Sequence, residues 1–319
     1  MLDFQTIKNI TVGAAEIWQE KDGVHFTKCT HQQIKEWKKI DPPCIYENNV
    51  FATTGVRLDF HTDSPYVEVE VAQGNKYEVK INDVLTHQFV NPGRGAFSFR
   101  FDLKNNGESS HVVLVLTCHD NGGVITSISI KEGASIIPHT FDKKILFLGD
   151  SITQGWEAHF NSLSFAYLIS DHFNAESIIQ GIGTSRFEPT TVLDIGFKPE
   201  IVFVAYGTND FGHLSSLEEL KDNAHNYLLK VKQVYPHSKI YVISPIWRTD
   251  EDVVYRMGSF YDCNNTIKSV AKALSLPIID GEKLVPPHKK FMADCLHPND
   301  LGFSIYALNL LRIISKDIK

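Results

Sequence analysis

Two periods divide the chain. Up to about residue 137, apolar and polar positions alternate in short runs. Val67, Val69 and Val71 interleave with Glu68 and Glu70, and Tyr77, Val79 and Ile81 with Glu78 and Lys80. Phe97, Phe99 and Phe101 interleave with Ser98 and Arg100, and Ile128 and Ile130 flank Ser129. A period of two gives each strand one apolar and one polar face, which predicts an antiparallel sheet covered on one side. Glu68 and Glu70 then read as a solvated strand face, and the Phe97–Phe101 run as core. Turn formers separate the runs: Asn82-Asp83, Asn91-Pro92-Gly93, Asn105-Asn106-Gly107 and Asn121-Gly122-Gly123. Short strands at this spacing predict an all-β, jelly-roll-like sandwich over residues 1–138.

After Pro138 the pattern changes. Lys144-Ile145-Leu146-Phe147-Leu148 is a continuous apolar run, as a parallel strand buried on both faces requires. Similar runs recur at 177–179, 201–205, 240–243 and 277–279. Between them lie helical patterns. One starts at Ser216, with Glu219 placed to complete a capping box, and buries Leu217, Leu220, Ala224, Tyr227, Leu228 and Val231. The last follows Pro298-Asn299-Asp300, with Ile305, Leu308 and Leu311 expected inward. Strands alternating with helices predict an α/β unit over residues 139–319, a parallel sheet with helices on both sides.

Composition narrows the function classes. A chain of 319 residues with 43% hydrophobic and 22% charged residues is that of an ordinary globular protein of one large or two medium domains. A net charge of -7, with Lys and Arg dispersed, offers no footprint for nucleic acid or for an anionic membrane surface. The five cysteines (Cys29, Cys44, Cys118, Cys263 and Cys295) include no C-x-x-C pair and read as free thiols. Met1 to Glu20 lacks a cationic start followed by an apolar run, so the expected location is cytoplasmic. No H-E-x-x-H or clustered acid array suggests a metal.

The candidate chemistry sits where predicted parallel strands end, the place where open parallel sheets bind ligands. Gly149-Asp150-Ser151 follows the first of these strands, and glycines there permit the tight turn that exposes a serine. A serine hydroxyl needs a base, and Asp294-Cys295-Leu296-His297-Pro298 offers one. An acid three residues before a histidine can fold back onto its second ring nitrogen and set its tautomer. Acyl transfer also builds charge on a carbonyl oxygen, which needs preorganised donors. The amide of Asn209, in Tyr206-Gly207-Thr208-Asn209-Asp210, can supply one, and the backbone N–H groups of Ser151 and Gly181 two more.

These blocks resemble those of the SGNH (GDSL-like) hydrolases: Ser151, Gly181, Asn209, and Asp294 with His297, over roughly residues 143 to 317. Gln180 stands where that family usually has asparagine. The resemblance implies a flavodoxin-like α/β/α sandwich and metal-independent acyl-ester hydrolysis without a cofactor. A β-sandwich ahead of such a domain is similar to the two-domain carbohydrate esterases that remove acetyl groups from sugars. Gly149 to Trp156 also resembles their nucleophile loop. The implied partner is a small acylated substrate, an acetylated saccharide above all. The alternatives are a lysophospholipase or thioesterase, or a carbohydrate-binding protein with a vestigial catalytic half. Trp156, Phe211, His213, Trp247 and Arg248 follow strand ends or motif loops and are candidates to line the substrate pocket.

Overall fold

The computed structural model describes residues 1–40, 49–117 and 122–316. Cys44 and Cys118 lie outside that set, as does the turn residue Asn121. The N-terminal part contains β1 (Thr11–Val12), β2 (Glu16–Glu20), β3 (Gly23–Thr27), β4 (Arg57–Thr62), β5 (Tyr66–Gln73) and β6 (Lys76–Ile81). It continues with β7 (Val84–Val90), β8 (Phe97–Asp102), β9 (Ser110–Val115), β10 (Val124–Ile130) and β11 (Ile137–Pro138). Helices α1 (Phe4–Asn9) and α2 (His31–Trp37) accompany them.

The strands form two antiparallel sheets. One runs β1-β4-β9-β6-β7, with β11 paired to β4; the other runs β2-β3-β10-β5-β8. Their facing sides share one core that includes Val24, Phe26, Val67, Val69, Leu58, Phe60, Tyr77, Val79, Phe99, Phe101 and Val112. On β5 the alternation holds: Val67, Val69 and Val71 are buried and Glu68 and Glu70 exposed.

On β6 it does not, because the first sheet is covered on both faces. Glu78, on its polar side, is buried and accepts from the backbone N–H and the hydroxyl of Ser162, at 3.0 and 2.6 Å. Val113 and Val115 of β9 join the core of the C-terminal half. Arg57 and Asp59 of β4 are buried in an ion pair at 2.9 Å, and Arg57 also donates to the carbonyl of Ala175. Polar residues that alternation alone would place in water therefore form an interface, and their hydrogen bonds offset the cost of burial.

Three histidines mark the edge of this interface. Asn174 Nδ2 donates to Thr140 and Asp142, so its Oδ1 accepts from His139 Nε2 at 2.8 Å. That leaves His139 Nδ1 as the acceptor for His61 Nε2–H at 3.0 Å. His111 packs nearly parallel to His139, with its nitrogens held by Asp59 and Asp83. Burial works against the charged form of His111, yet the bonds to Asp59 and Asp83 and their negative charges together outweigh it and raise its pKa. A polar cavity of about 270 Å³ opens beside them, lined by Arg57, Lys80, Asp171 and Asn174 among others.

The C-terminal half is a parallel sheet of β12 (Lys143–Gly149), β13 (Ala175–Gly181), β14 (Ile201–Ala205), β15 (Lys239–Ile243) and β16 (Ile278–Ile279). Its order β13-β12-β14-β15-β16 is the flavodoxin-like 2-1-3-4-5 arrangement. The helices are α3 (Ser151–Gln154), α4 (Phe165–His172), α5 (Thr208–His213), α6 (Leu217–Val234), α7 (Phe260–Ala273) and α8 (Asp300–Ile314). Separate apolar clusters cover the two faces: Ile145, Phe147 and Phe203 with α4 and α8, and Leu146, Leu148 and Val204 with α6 and α7.

Two helical details differ from the sequence pattern. Ser216 caps α6 by accepting from Glu219 N, but the Glu219 carboxylate reaches the N–H of Ser215, one residue beyond the box position. On α8 Ile305 and Leu311 pack partly buried against the core as expected, but the fully inward face is Phe303, Tyr306, Ala307, Leu310 and Ile314, and Leu308 is exposed. The i, i+3, i+4, i+7 set beginning at Phe303 carries the larger contact area and rotates Leu308 outward. Among the described residues, no helix is long and apolar enough to cross a membrane.

Candidate active site

Ser151 opens α3 directly beyond the carboxyl end of β12. Asp150 caps this one-turn helix, its Oδ1 accepting from Ile152 N–H at 2.9 Å, and Gly155 closes it at a φ of 80°. A first-turn amide has no partner within its own helix, so the N–H of Ser151 remains a donor.

His297 reaches this serine from a loop tied down at both ends. Ala293 N–H donates to His297 O, Asn299 N–H to Phe291 O, and Thr249 N–H to Cys295 O, at 2.9, 3.0 and 2.9 Å. Asn299 then caps α8 through Gly302 N–H. Within the loop, Asp294 Oδ1 accepts from the N–H groups of Leu296 and His297, at 2.7 and 2.6 Å, and Oδ2 faces His297 Nδ1 at 2.8 Å. A carboxylate only accepts, so Nδ1 carries the proton and Nε2 offers its lone pair. Ser151 Oγ lies 2.8 Å from Nε2 and donates to it. Burial alone would raise the pKa of Asp294, but the bonds from the His297 ring and the two backbone amides outweigh it and lower it. The arrangement can therefore draw a proton from the serine and hold the imidazolium that results.

Asn209 sits in the first turn of α5, beyond β14. Its side-chain amide donates to Ser185 O at 3.0 Å, which orients the group and leaves its second N–H. Gly181 does not take the donor role expected of it. Gly149 O accepts from Ile182 N–H, and Gly149 pairs with Gly181 in parallel register. Alternation along the ladder then turns Gly181's own N–H away from β12, toward the free edge of the sheet. Gly181 serves close packing instead: a Cβ there would lie 2.1 Å from Gln154 N, inside α3.

The five pocket candidates separate. Trp156 stands beside the site, its ring 6.5 Å from that of His297. Phe211 is fully buried, edge-on to Tyr255 and Phe260, and is a core residue. Arg248 is also buried; it forks onto Asp250 at 2.6 and 2.9 Å and donates to Thr208 O, so it braces the start of α5. His213 donates from Nδ1 to Asn209 O one turn earlier, and Trp247 packs on the core with its N–H on Glu251. Sequence reasoning missed Gln154 and Ser185, which hold Gly183 N–H and the Asn209 amide. Gln154 lies in the nucleophile motif itself; Ser185 carries no local signal. Cys29, Cys263 and Cys295 are free thiols.

Two buried carboxyls lie next to this machinery. Burial pushes Asp150 and Asp210 up to about 7, against the bonds each accepts from backbone amides. Asp210 Oδ1 accepts from Phe187 N–H, while Oδ2 finds no partner among the described residues. A raised carboxyl pKa means the folded state binds the proton more tightly than the unfolded state. Stability from this group is present below its ordinary value of 3.8 and falls as pH rises toward 7. Asp210→Asn keeps the acceptor for Phe187 and removes the titration. Its thermal midpoint is expected to exceed wild type at pH 8 and to approach it near pH 4, read by scanning calorimetry across that range.

Residues 147–305 match the model of the GDSL-like lipase/acylhydrolase family. This segment belongs to that family. The chain is 26% identical over 214 residues to the isoamyl acetate-hydrolyzing esterase of Schizosaccharomyces pombe, covering 61% of this chain and 84% of that one. Among solved structures, the salicylyl-acyltransferase SsfX3 of a tetracycline biosynthetic pathway superposes with a TM-score of 0.85 at 17% identity, over 96% of this chain and 94% of that one. A family two carbohydrate esterase from Clostridium thermocellum, in complex with cellohexaose, gives 0.68 at 14% identity, over 83% and 93%. The likeness to these two structures is one of fold, sandwich and parallel sheet together. The GDSL-like segment and the esterase relative make the protein a carboxylic ester hydrolase.

Proposed function

We propose that the protein removes short acyl groups, acetyl above all, from esters of carbohydrates through an acyl-enzyme on Ser151. The observation that carries the mechanism is the continuous line Ser151 Oγ, His297 Nε2–Nδ1, Asp294 Oδ2, with 2.8 Å at each junction. Ser151 attacks the ester carbonyl as His297 takes its proton, and Asp294 stabilises the imidazolium. The Ser151 N–H and the Asn209 amide receive the developing oxyanion. His297 returns the proton to the departing alcohol, and water, activated by the same imidazole, then releases the acid and frees the serine.

The acetyl preference is supported by the relative named for an acetate ester. The sugar half is supported by the shared fold with a carbohydrate esterase seen with an oligosaccharide. Rates on 4-nitrophenyl acetate, butyrate and octanoate test the first, with a fall of at least tenfold expected by octanoate. Equal rates would point instead to a lysophospholipase- or thioesterase-type acylhydrolase. Acetate release from acetylated xylo-, manno- and gluco-oligosaccharides tests the second, and failure on all three while simple acetates turn over would discard the sugar.

A further inference from the structure

The loop from Ile182 to Ser185 links β13 to the oxyanion side of the site. Ser185 O orients the Asn209 amide at 3.0 Å, and the loop is tied to β12 through Ile182 N–H on Gly149 O. Gly183 N–H is held by Gln154 Oε1 at 2.8 Å. On its other side the loop rests on the N-terminal half. Ile182 is buried in a cluster whose other core members are Cys29, Ile34, Trp37 and Val50. The Gly183 carbonyl accepts from Asn49 Nδ2 at 3.3 Å, and a Cβ on Gly183 would come within 2.6 Å of that nitrogen. At the end of β13, Gln180 and Gln33 of α2 are both buried. Their amides meet across the interface at 2.9 and 3.1 Å, and Gln180 also donates to Lys28 O.

We infer that the N-terminal half positions the oxyanion donor: Asn49 and Gln33, with the apolar seat of Ile182, fix the 182–185 loop and through Ser185 the Asn209 amide. The physical case is one of preorganisation. A donor contributes most when it is already aimed and needs no rearrangement as charge develops. Asn209 is aimed by one carbonyl on a loop that contains a non-glycine residue at positive φ, Thr184 at 67°. Such a conformation persists only where its surroundings over-determine it. The residues doing so include a side chain 134 positions away in sequence from the peptide it holds. The N-terminal half, through α2 and Asn49, is thus part of the catalytic scaffold. Asn49 and Gln33 are positioning residues that act through Asn209.

The inference rests on Asn209 as an oxyanion donor, and the experiment keeps the two apart. Asn49→Asp preserves size but replaces the donor with an acceptor facing the Gly183 carbonyl. Together with Asn209→Ala and the double variant, it forms a cycle read as kcat and KM on 4-nitrophenyl acetate, with thermal midpoints alongside. Asn209→Ala should cost roughly a hundred- to a thousand-fold in kcat. Asn49→Asp should cost about tenfold in kcat with KM and thermal midpoint little changed. In the Asn209→Ala background it should cost less than about twofold, since coupled residues are not additive. Gln33→Leu should behave like Asn49→Asp in kcat. Full additivity, or wild-type kcat in Asn49→Asp, would overturn the positioning role. Wild-type kcat in Asn209→Ala would overturn the oxyanion reading beneath it.

Discussion

Ser151→Ala is expected to lose about a million-fold in kcat on 4-nitrophenyl acetate, and His297→Ala nearly as much. The two residues act as one unit. Without the hydroxyl the imidazole has nothing to deprotonate, and without the imidazole the hydroxyl is a poor nucleophile. The double variant should therefore be little worse than either single one. What survives in all three comes from the oxyanion donors and from holding the ester in place. Each variant should keep its fold, since the backbone bonds of α3 around Ser151 and of the loop around His297 do not involve the lost atoms. Circular dichroism checks this, and loss of labelling by a fluorophosphonate checks the site of attack. Turnover within tenfold of wild type in Ser151→Ala would remove the serine from the mechanism.

Asp294→Asn should cost on the order of 10³- to 10⁴-fold, and should be worse than Asp294→Ala. The reason lies in how the carboxylate is used. Oδ1 accepts two backbone N–H groups, so the oxygen of an asparagine must take that place. Its NH₂ group then faces His297 Nδ1, where a donor forces the proton onto Nε2. The imidazole would meet Ser151 with an N–H in place of a lone pair. Alanine loosens the ring but leaves the productive tautomer open, and Asp294 is exposed enough for water to replace the lost acceptor. Steady-state kinetics of the two variants decide the order; an alanine variant slower than asparagine would contradict the tautomer argument. The lowered pKa of Asp294 has a matching consequence. Its contribution is present above the ordinary carboxyl range and is lost as pH falls through the lowered value in the folded protein.

Local pattern carried far in this protein. The apolar runs of the parallel sheet, the capped helices and the nucleophile, base and amide motifs all depend on neighbours within a few residues. Asp294 and His297 find each other because three residues of turn suffice. Period and spacing report such arrangements directly. The misjudged positions are those where a second surface intervenes. Glu78 alternates as a solvent-facing residue yet is buried, since the C-terminal half packs on that face of its sheet. Phe211 follows a motif loop yet is core, because α7 packs over it. Gly181 lies one ladder position from pointing its amide the other way, and only the strand register decides that.

By itself, then, the amino-acid order determined the two periods, the strand ends that carry the motifs and the candidates for the reacting groups. Those follow from local stereochemistry and hydrophobic patterning. The tertiary structure alone decided that Ser151 and His297, 146 residues apart, stand 2.8 Å from each other. It alone also seated the 182–185 loop on the N-terminal half, through Asn49, Gln33 and Ile182. Contacts at such separations are selected by the packing of complete sheets and helices, and no window of sequence contains both partners.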